Sequence, residues 1–220
     1  MLKSSMLTKR NTSGFTIVEL LIVIVVIGIL AAITVVAFNG VQNNAHNAQI
    51  KATVRSYQQG LAGYLALNNE YPSVPSQATP SADDRVCLGT GYVDRDGDTE
   101  PDCGNSNFPA IEYAPFNSDL DALVTLPVVS SVDIPTPYEN SVFTGAAFIR
   151  QDDFTVNGLD NPYYLMYALF GANQDCGTNV VEQVSEAEPF PAMQPSSNRW
   201  SWSDGSTTMC VVALPNPPTL

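Results

Sequence analysis

The segment from Gly14 to Phe38, GFTIVELLIVIVVIGILAAITVVAF, constrains this chain more than any other, because from Leu20 to Phe38 it holds no ionisable side chain. Nineteen such residues, at about 1.5 Å each, make roughly 28 Å of helix, close to the hydrocarbon thickness of a bilayer. The order of the parts is as informative as the run itself. A basic leader with Lys3, Lys9 and Arg10 comes first, then Gly14, then Phe15, and then one carboxylate, Glu19, inside the apolar run. A secretory signal has the opposite order, with its small-residue cleavage site after the apolar region. A cut after Gly14 keeps the apolar helix in the mature chain.

Glu19 needs an explanation in its own right. A carboxylate in a membrane helix costs on the order of 2.5 to 3.5 kcal/mol at mid-bilayer, and less near an end, so such residues usually have a partner. The sequence reads as offering Glu19 none within its own helix. Once the leader is gone, the Phe15 amine is a positive charge at the same depth, and the amine of a neighbouring copy could neutralise Glu19 in a packed bundle. That pairing would set the axial register of an assembly. The bland alternative is a tolerated interfacial glutamate near the end of a single span.

The run GFTIVELLIVIVVIGILAAI resembles the class III signal of type IV prepilins and pseudopilins. The resemblance implies cleavage between Gly14 and Phe15 by a prepilin peptidase, N-methylation of the new Phe15 amine, and a role in assembly for Glu19. It also implies an α+β, pilin-like fold, in which a long N-terminal helix packs on a C-terminal antiparallel sheet. The partners implied are further copies of the chain in a helical filament, the peptidase/methylase, an assembly platform with its ATPase, and membrane lipid before assembly. Where many Gram-negative members carry a helix-breaking proline after the GILAAI segment, this chain has Thr34, Val35 and Val36.

Charge orients the span. Lys3, Lys9 and Arg10 precede it while Lys51 and Arg55 follow only at a distance, so the positive-inside rule puts the N-terminus in the cytoplasm and the rest outside. The 220 residues carry a formal charge of −13, and loss of the leader, which holds three basic residues and no acidic one, takes this to −16. Bulk electrostatics of that sign make a poor nucleic-acid binder. Cys87, Cys103, Cys176 and Cys210 all fall in the exterior part, where disulfides persist, and three pairings are open.

Beyond Phe38 the helical pattern continues as an amphipathic segment. Ile50, Val54, Tyr57, Leu61, Tyr64 and Leu65 recur at helical spacing, and Asn68-Asn69-Glu70-Tyr71-Pro72 supplies a stop. The stretch from Pro72 to Pro137 holds nine of the sixteen prolines and predicts few long regular elements. From Ser141 the pattern turns to β, with strand candidates at 142–150, 163–170 and 179–184 and a hairpin in which 199–202 and 207–213 flank Ser203-Asp204-Gly205-Ser206. These observations divide the chain into a leader (1–14), a membrane and filament-core helix (15–38), its amphipathic continuation (39–70), a proline- and aspartate-rich connection (71–140) and a sheet region (141–220). The predicted sheet is antiparallel, with three to five strands packed on the amphipathic half-helix.

Two constellations could carry chemistry. The loop Asp94-Arg95-Asp96-Gly97-Asp98-Thr99-Glu100-Pro101-Asp102 spaces carboxylates at every second position and resembles bacterial calcium-binding loops, which makes Asp94, Asp96, Asp98 and Asp102 candidate calcium ligands beside a solvated-loop reading. Thr99 stands where the second glycine of such loops usually lies, in a conformation threonine resists. A Cys87–Cys103 bridge would close this loop and stabilise by about 3 kcal/mol. Cys176 and Cys210 would then staple the β region, which resembles the disulfide-bounded region of many pilins.

Enzyme signatures are hard to find in the sequence, and among its 22 acidic residues nothing singles out a glycosidase-like carboxylate pair. His46, the sole histidine, lies among asparagines on the polar side of the helix, and no nucleophile elbow, Walker loop, HExxH or dinucleotide fingerprint occurs. Trp200, Trp202, Tyr163, Tyr164 and Tyr167 form an aromatic group whose commoner use is core and cross-strand packing rather than sugar stacking. The sequence therefore predicts a structural subunit of a type IV pilus-like filament, a single-pass membrane protein before assembly and a cell-surface filament after it. A pseudopilin of a type II secretion or DNA-uptake system is the alternative within the family. A membrane-anchored extracellular binding module or hydrolase, with the helix merely an anchor, is the alternative outside it.

Overall fold

A computed structural model describes residues 15–74, 83–94, 97, 99–104, 110–126, 132–135, 142–151, 155–156, 159–160, 163–181, 202–203 and 206–218. Helix α1, Ile17–Asn68, takes in both the apolar run and its amphipathic continuation. It stops where Asn69 enters the left-handed region at φ 59° and its N–H returns to the Leu65 carbonyl at 2.8 Å. Asparagine tolerates that conformation, and Pro72 soon after cannot continue a helix. The chain clusters into two compact units, Met1–Gln42 and Asn43–Leu220.

In the first unit the helix is apolar on every side. Among Ile17 to Ile33 each large hydrophobic side chain is about half exposed or more, from 48% at Val26 to 85% at Ile17. A helix hydrophobic all round is a membrane span or the inside of something larger. By length and composition it is long and apolar enough to cross a membrane, the single such helix among the described residues.

In the second unit the helix has one buried stripe. Ile50, Val54, Tyr57, Leu61 and Leu65 are buried, at steps of three and four residues that keep them on one face. They join one core cluster with the sheet residues Val86, Phe148, Tyr164 and Val212. Each fully buried side chain of this size contributes about 1.5 to 3 kcal/mol. Tyr57 adds direction, because its hydroxyl donates to the Leu88 carbonyl at 2.7 Å.

The main sheet is built from β1 (Asp83–Cys87), β2 (Ile111–Glu112), β5 (Ala146–Gln151), β8 (Tyr163–Phe170), β9 (Trp202–Ser203) and β10 (Thr207–Ala213), in the order β2-β1-β5-β8-β10-β9. All neighbours run antiparallel except β1 and β2. Its register pairs Phe148 with Leu165 and Tyr167 with Cys210. Six consecutive residues of β8, Tyr164 to Leu169, are buried, so both faces of the sheet are covered there. Two short ribbons accompany it, β3 (Ile134–Pro135) with β4 (Val142–Phe143) and β6 (Thr155–Val156) with β7 (Leu159–Asp160). Helix α2, Ala114–Asp121, has Pro115 in its first turn and buries Phe116, Asn117 and Leu120.

The α+β, pilin-like arrangement is the one the sequence predicts, and its details differ in three places. The six-stranded sheet exceeds the three to five strands expected, because β1 and β2 come from the proline-rich connection. Asp83-Asp84-Arg85 hides β1 from a reading based on apolar alternation, although Arg85, Val86 and Cys87 are buried. The pairing of β1 with β2 is parallel, which the antiparallel expectation did not include. The strand expected over 142–150 is broken between β4 and β5, where Gly145 adopts φ 70°. Of the candidate at 179–184, Val180 forms a single bridge to Val212, and 182–184 lie outside the described residues.

Candidate functional site: the helix N-terminus and the acidic loop

Gly14 and the rest of the basic leader lie outside the described residues. Phe15 is exposed, and the helix begins two residues later. Thr16 and Glu19 cap it reciprocally. The Thr16 N–H and hydroxyl donate to Glu19 Oε2 at 2.9 and 2.7 Å, and the Glu19 N–H donates to Thr16 Oγ1 at 3.2 Å. This is the capping box of the Thr-x-x-Glu pattern, which satisfies helix N–H groups that otherwise have no acceptor. The expectation that Glu19 has no partner in its own helix is therefore corrected. Its partner is Thr16, which the sequence reading passed over although the spacing Thr16-Ile17-Val18-Glu19 is legible.

The capping box also shows how a carboxylate survives at this place. Its charge lies against the positive end of the helix dipole and accepts two hydrogen bonds. Both go to Oε2, so among the described residues Oε1 accepts no hydrogen bond.

In the acidic loop, Asp94 organises the backbone. Its two carboxylate oxygens accept from the N–H groups of Gly97 at 2.7 Å and Thr99 at 3.0 Å. Gly97 and Thr99 both have positive φ, 87° and 80°, so threonine occupies the very conformation that the sequence reading takes as unfavourable to it. Holding a β-branched residue there costs on the order of 1 to 3 kcal/mol. Asp102 is buried at 5% exposure and bridges Val93 and the first residue of β2, Ile111. Asp96 and Asp98 lie outside the described residues. Among the described residues no three His, Cys, Asp or Glu side chains form a group that could hold a metal.

The loop is clamped by a Cys87–Cys103 disulfide with Cα atoms 5.7 Å apart. Its anchor on the sheet side is Asn117, whose Nδ2 donates to the Cys87 and Gly89 carbonyls at 3.0 and 2.8 Å while Oδ1 accepts from the Gly89 N–H at 2.9 Å. A second disulfide, Cys176–Cys210, ties the segment after β8 to β10. His46 is half-buried, its ring 6.0 Å from that of Phe170. Tyr164 and Tyr167 are core residues, and Tyr163 packs on Tyr71 at 4.6 Å between ring centres. These three tyrosines pack rather than form a stacking platform, while Trp200 and the side chain of Trp202 lie outside the described residues.

The helix N-terminus is also where the similarity to known proteins falls. Residues 9–35 match the prokaryotic N-terminal methylation motif. The chain is similar to a "Type II secretion system core protein G" of Aeromonas hydrophila, at 30% identity over 94 residues that cover 40% of this chain and 66% of that protein, just short of two thirds of its length. No solved structure matches it significantly. The methylation motif, the secretion-system relative and the helix-plus-sheet arrangement together make the chain similar to type IV pilins and pseudopilins.

Proposed function

We propose that this chain is the structural subunit of a helical filament, inserted in the membrane with its N-terminus in the cytoplasm, cut after Gly14, methylated on the Phe15 amine and polymerised through the helix that begins at Ile17. The observation that carries this reading is an apolar helix exposed on all sides whose first turns lie within the methylation motif. A side-on assembly of such helices replaces lipid with copies of the same helix. In it, Thr16 holds the Glu19 carboxylate through Oε2 and leaves Oε1 to accept from the Phe15 amine of a neighbour. Charge-assisted contacts of that kind are about twice as strong as neutral ones and gain from low dielectric.

Mass spectrometry of the protein from its host tests the processing: a mature N-terminus at Phe15 bearing one methyl group is expected, and an intact leader or a cut near Ala32 refutes it. Glu19→Ala should leave membrane insertion unchanged and lower filament yield at least tenfold. Normal filaments from that variant would remove the role given to the carboxylate.

Between filament types, the sequence reading favours a surface pilus. The secretion-system relative is a specific reason to weigh a pseudopilin of a type II secretion system as the second reading. Deletion of the gene separates them: loss of surface fibres with intact protein export supports the first, and export failure without loss of fibres supports the second.

A further inference from the structure

The second unit contains a pocket of about 240 Å³ between the amphipathic part of α1 and the segment that follows β8. Lys51, Arg55 and Gln58 line it from the helix, at steps of four and three residues that put them on one face. Tyr167 lines it from β8, and Asp175 and Thr178 from the segment beyond. The wall opposite the helix is held in place at several points. Cys176 is bonded to Cys210 of β10, the Tyr167 hydroxyl donates to the Cys176 carbonyl at 2.6 Å, and the Gln174 N–H donates to Thr208 Oγ1 at 2.9 Å. A wall fixed in this way stands before any ligand arrives, which lowers the ordering cost of binding.

The charges in the lining are out of keeping with the rest of the chain. Nine basic residues less the three that precede Phe15 leave six, and two of those six stand here one helical turn apart. Like charges at that spacing weaken a helix, and among the described residues no carboxylate pairs with either of them. Asp175 is the one carboxylate in the lining, and its Oδ1 accepts from the Gly177 N–H at 2.9 Å. Lys51 and Gln58 are half-buried while Arg55, Asp175 and Thr178 are exposed. The pocket is therefore open to solvent, and a solute can enter it without rearrangement of the chain.

Two cations against one carboxylate favour a monoanion. A guanidinium beside an ammonium takes a carboxylate by charge-assisted hydrogen bonds. Asp175 repels a second negative charge and is left to accept from a hydroxyl of the same ligand, while the Gln58 amide and the Thr178 hydroxyl supply neutral partners. The volume is below the roughly 300 to 1,000 Å³ of sites for drug-sized molecules, so the occupant is one small molecule or one residue of a chain. We propose that this pocket binds a hydroxylated monocarboxylate of sugar-acid size, a uronate either free or as one unit of an acidic polysaccharide. The site does not depend on the filament reading, since every residue that lines it belongs to the second unit.

Saturation-transfer NMR on the detergent-solubilised full-length protein, with D-glucuronate as the probe, tests the proposal. A ligand of about a dozen non-hydrogen atoms at ordinary efficiency should bind with a Kd of about 1 mM. Methyl glucoside, which lacks the carboxylate, should bind about tenfold more weakly. Lys51→Gln with Arg55→Gln should weaken glucuronate binding by about tenfold while the thermal midpoint stays at or above that of the wild type, because the repulsion along the helix goes too. Asp175→Asn keeps the oxygen that accepts from Gly177 and replaces the other with an amide donor, so it should abolish the preference for glucuronate over acetate and still bind acetate. A short oligomer of glucuronate separates the two sources: binding as tight as that of the monomer or tighter assigns a polysaccharide unit, and weaker binding assigns the free acid. The proposal is overturned if the wild type binds neither probe at about 10 mM, if phosphate binds more tightly than glucuronate, or if glucuronate binding survives the loss of both cations.

Discussion

Asn117 sits at 2% exposure with its amide meeting three backbone groups on the far side of the Cys87–Gly89 corner. Truncation to alanine leaves buried N–H and C=O groups unpaired, each at about 1 to 3 kcal/mol. Asn117→Ala should therefore destabilise the second unit by about 3 kcal/mol in urea denaturation of the detergent-solubilised protein, and a loss under about 1 kcal/mol would contradict this account. Buried tyrosines form a second set. Burial raises the hydroxyl pKa of Tyr57, Tyr71 and Tyr164 far above the ordinary 10.0, and that of Tyr167 to about 12, where Asp175 adds to burial and Arg55 opposes it. The unfolded chain then releases these protons first. Their contribution is complete below about pH 10 and declines as pH rises through 12, by up to about 1.4 kcal/mol per pH unit for each tyrosine. Denaturation midpoints should be insensitive to these groups near neutrality and fall steeply above pH 10.

Among the elements, the amphipathic part of α1 has two glycines with opposite reasons for being there. A Cβ on Gly60 would stand 2.7 Å from Val124 Cγ2, whereas one on Gly63 meets nothing within 4 Å. The β-branched Val124 side chain is stiff, so the segment after α2 must shift to admit it. Gly63→Ala should raise stability by up to about 1 kcal/mol through helix propensity, and Gly60→Ala should lower it by about 1 to 2 kcal/mol despite the same gain. Thermal melts of the two variants compare them directly; equal shifts would show that the chain after α2 does not rest on Gly60. The helical period of Ile50 through Leu65 was legible because one buried stripe repeats on one face. Strand β1 was not legible, because its place inside a sheet depends on partners at Ala147 and Ile111 that are distant in sequence.

On the scale of the whole molecule, the two units depend on different forces. The first exposes apolar side chains all round, and the second carries its own core and both disulfides. Chain-entropy arguments give about 3 kcal/mol for the loop of 16 and about 4 kcal/mol for the loop of 34. Cys176→Ser with Cys210→Ser should lower the unfolding midpoint of the second unit substantially while the protein still fractionates with membranes. Release into the soluble fraction would show that anchoring depends on the folded body.

The local sequence determined the features whose physics is local: an apolar run long enough for a bilayer, the glycine–aromatic–carboxylate order of the methylation motif, the buried stripe of the amphipathic helix and its asparagine stop. The tertiary structure decided which strands neighbour one another, that one pair is parallel, which cysteines meet, and that Lys51 and Arg55 share a cavity with Asp175. Those outcomes depend on contacts between residues tens to more than a hundred positions apart, and spacing along the chain says nothing of distance across it. The Thr16–Glu19 cap falls between the two, a short-range pattern whose reciprocal hydrogen bonds emerge only once the helix end is built.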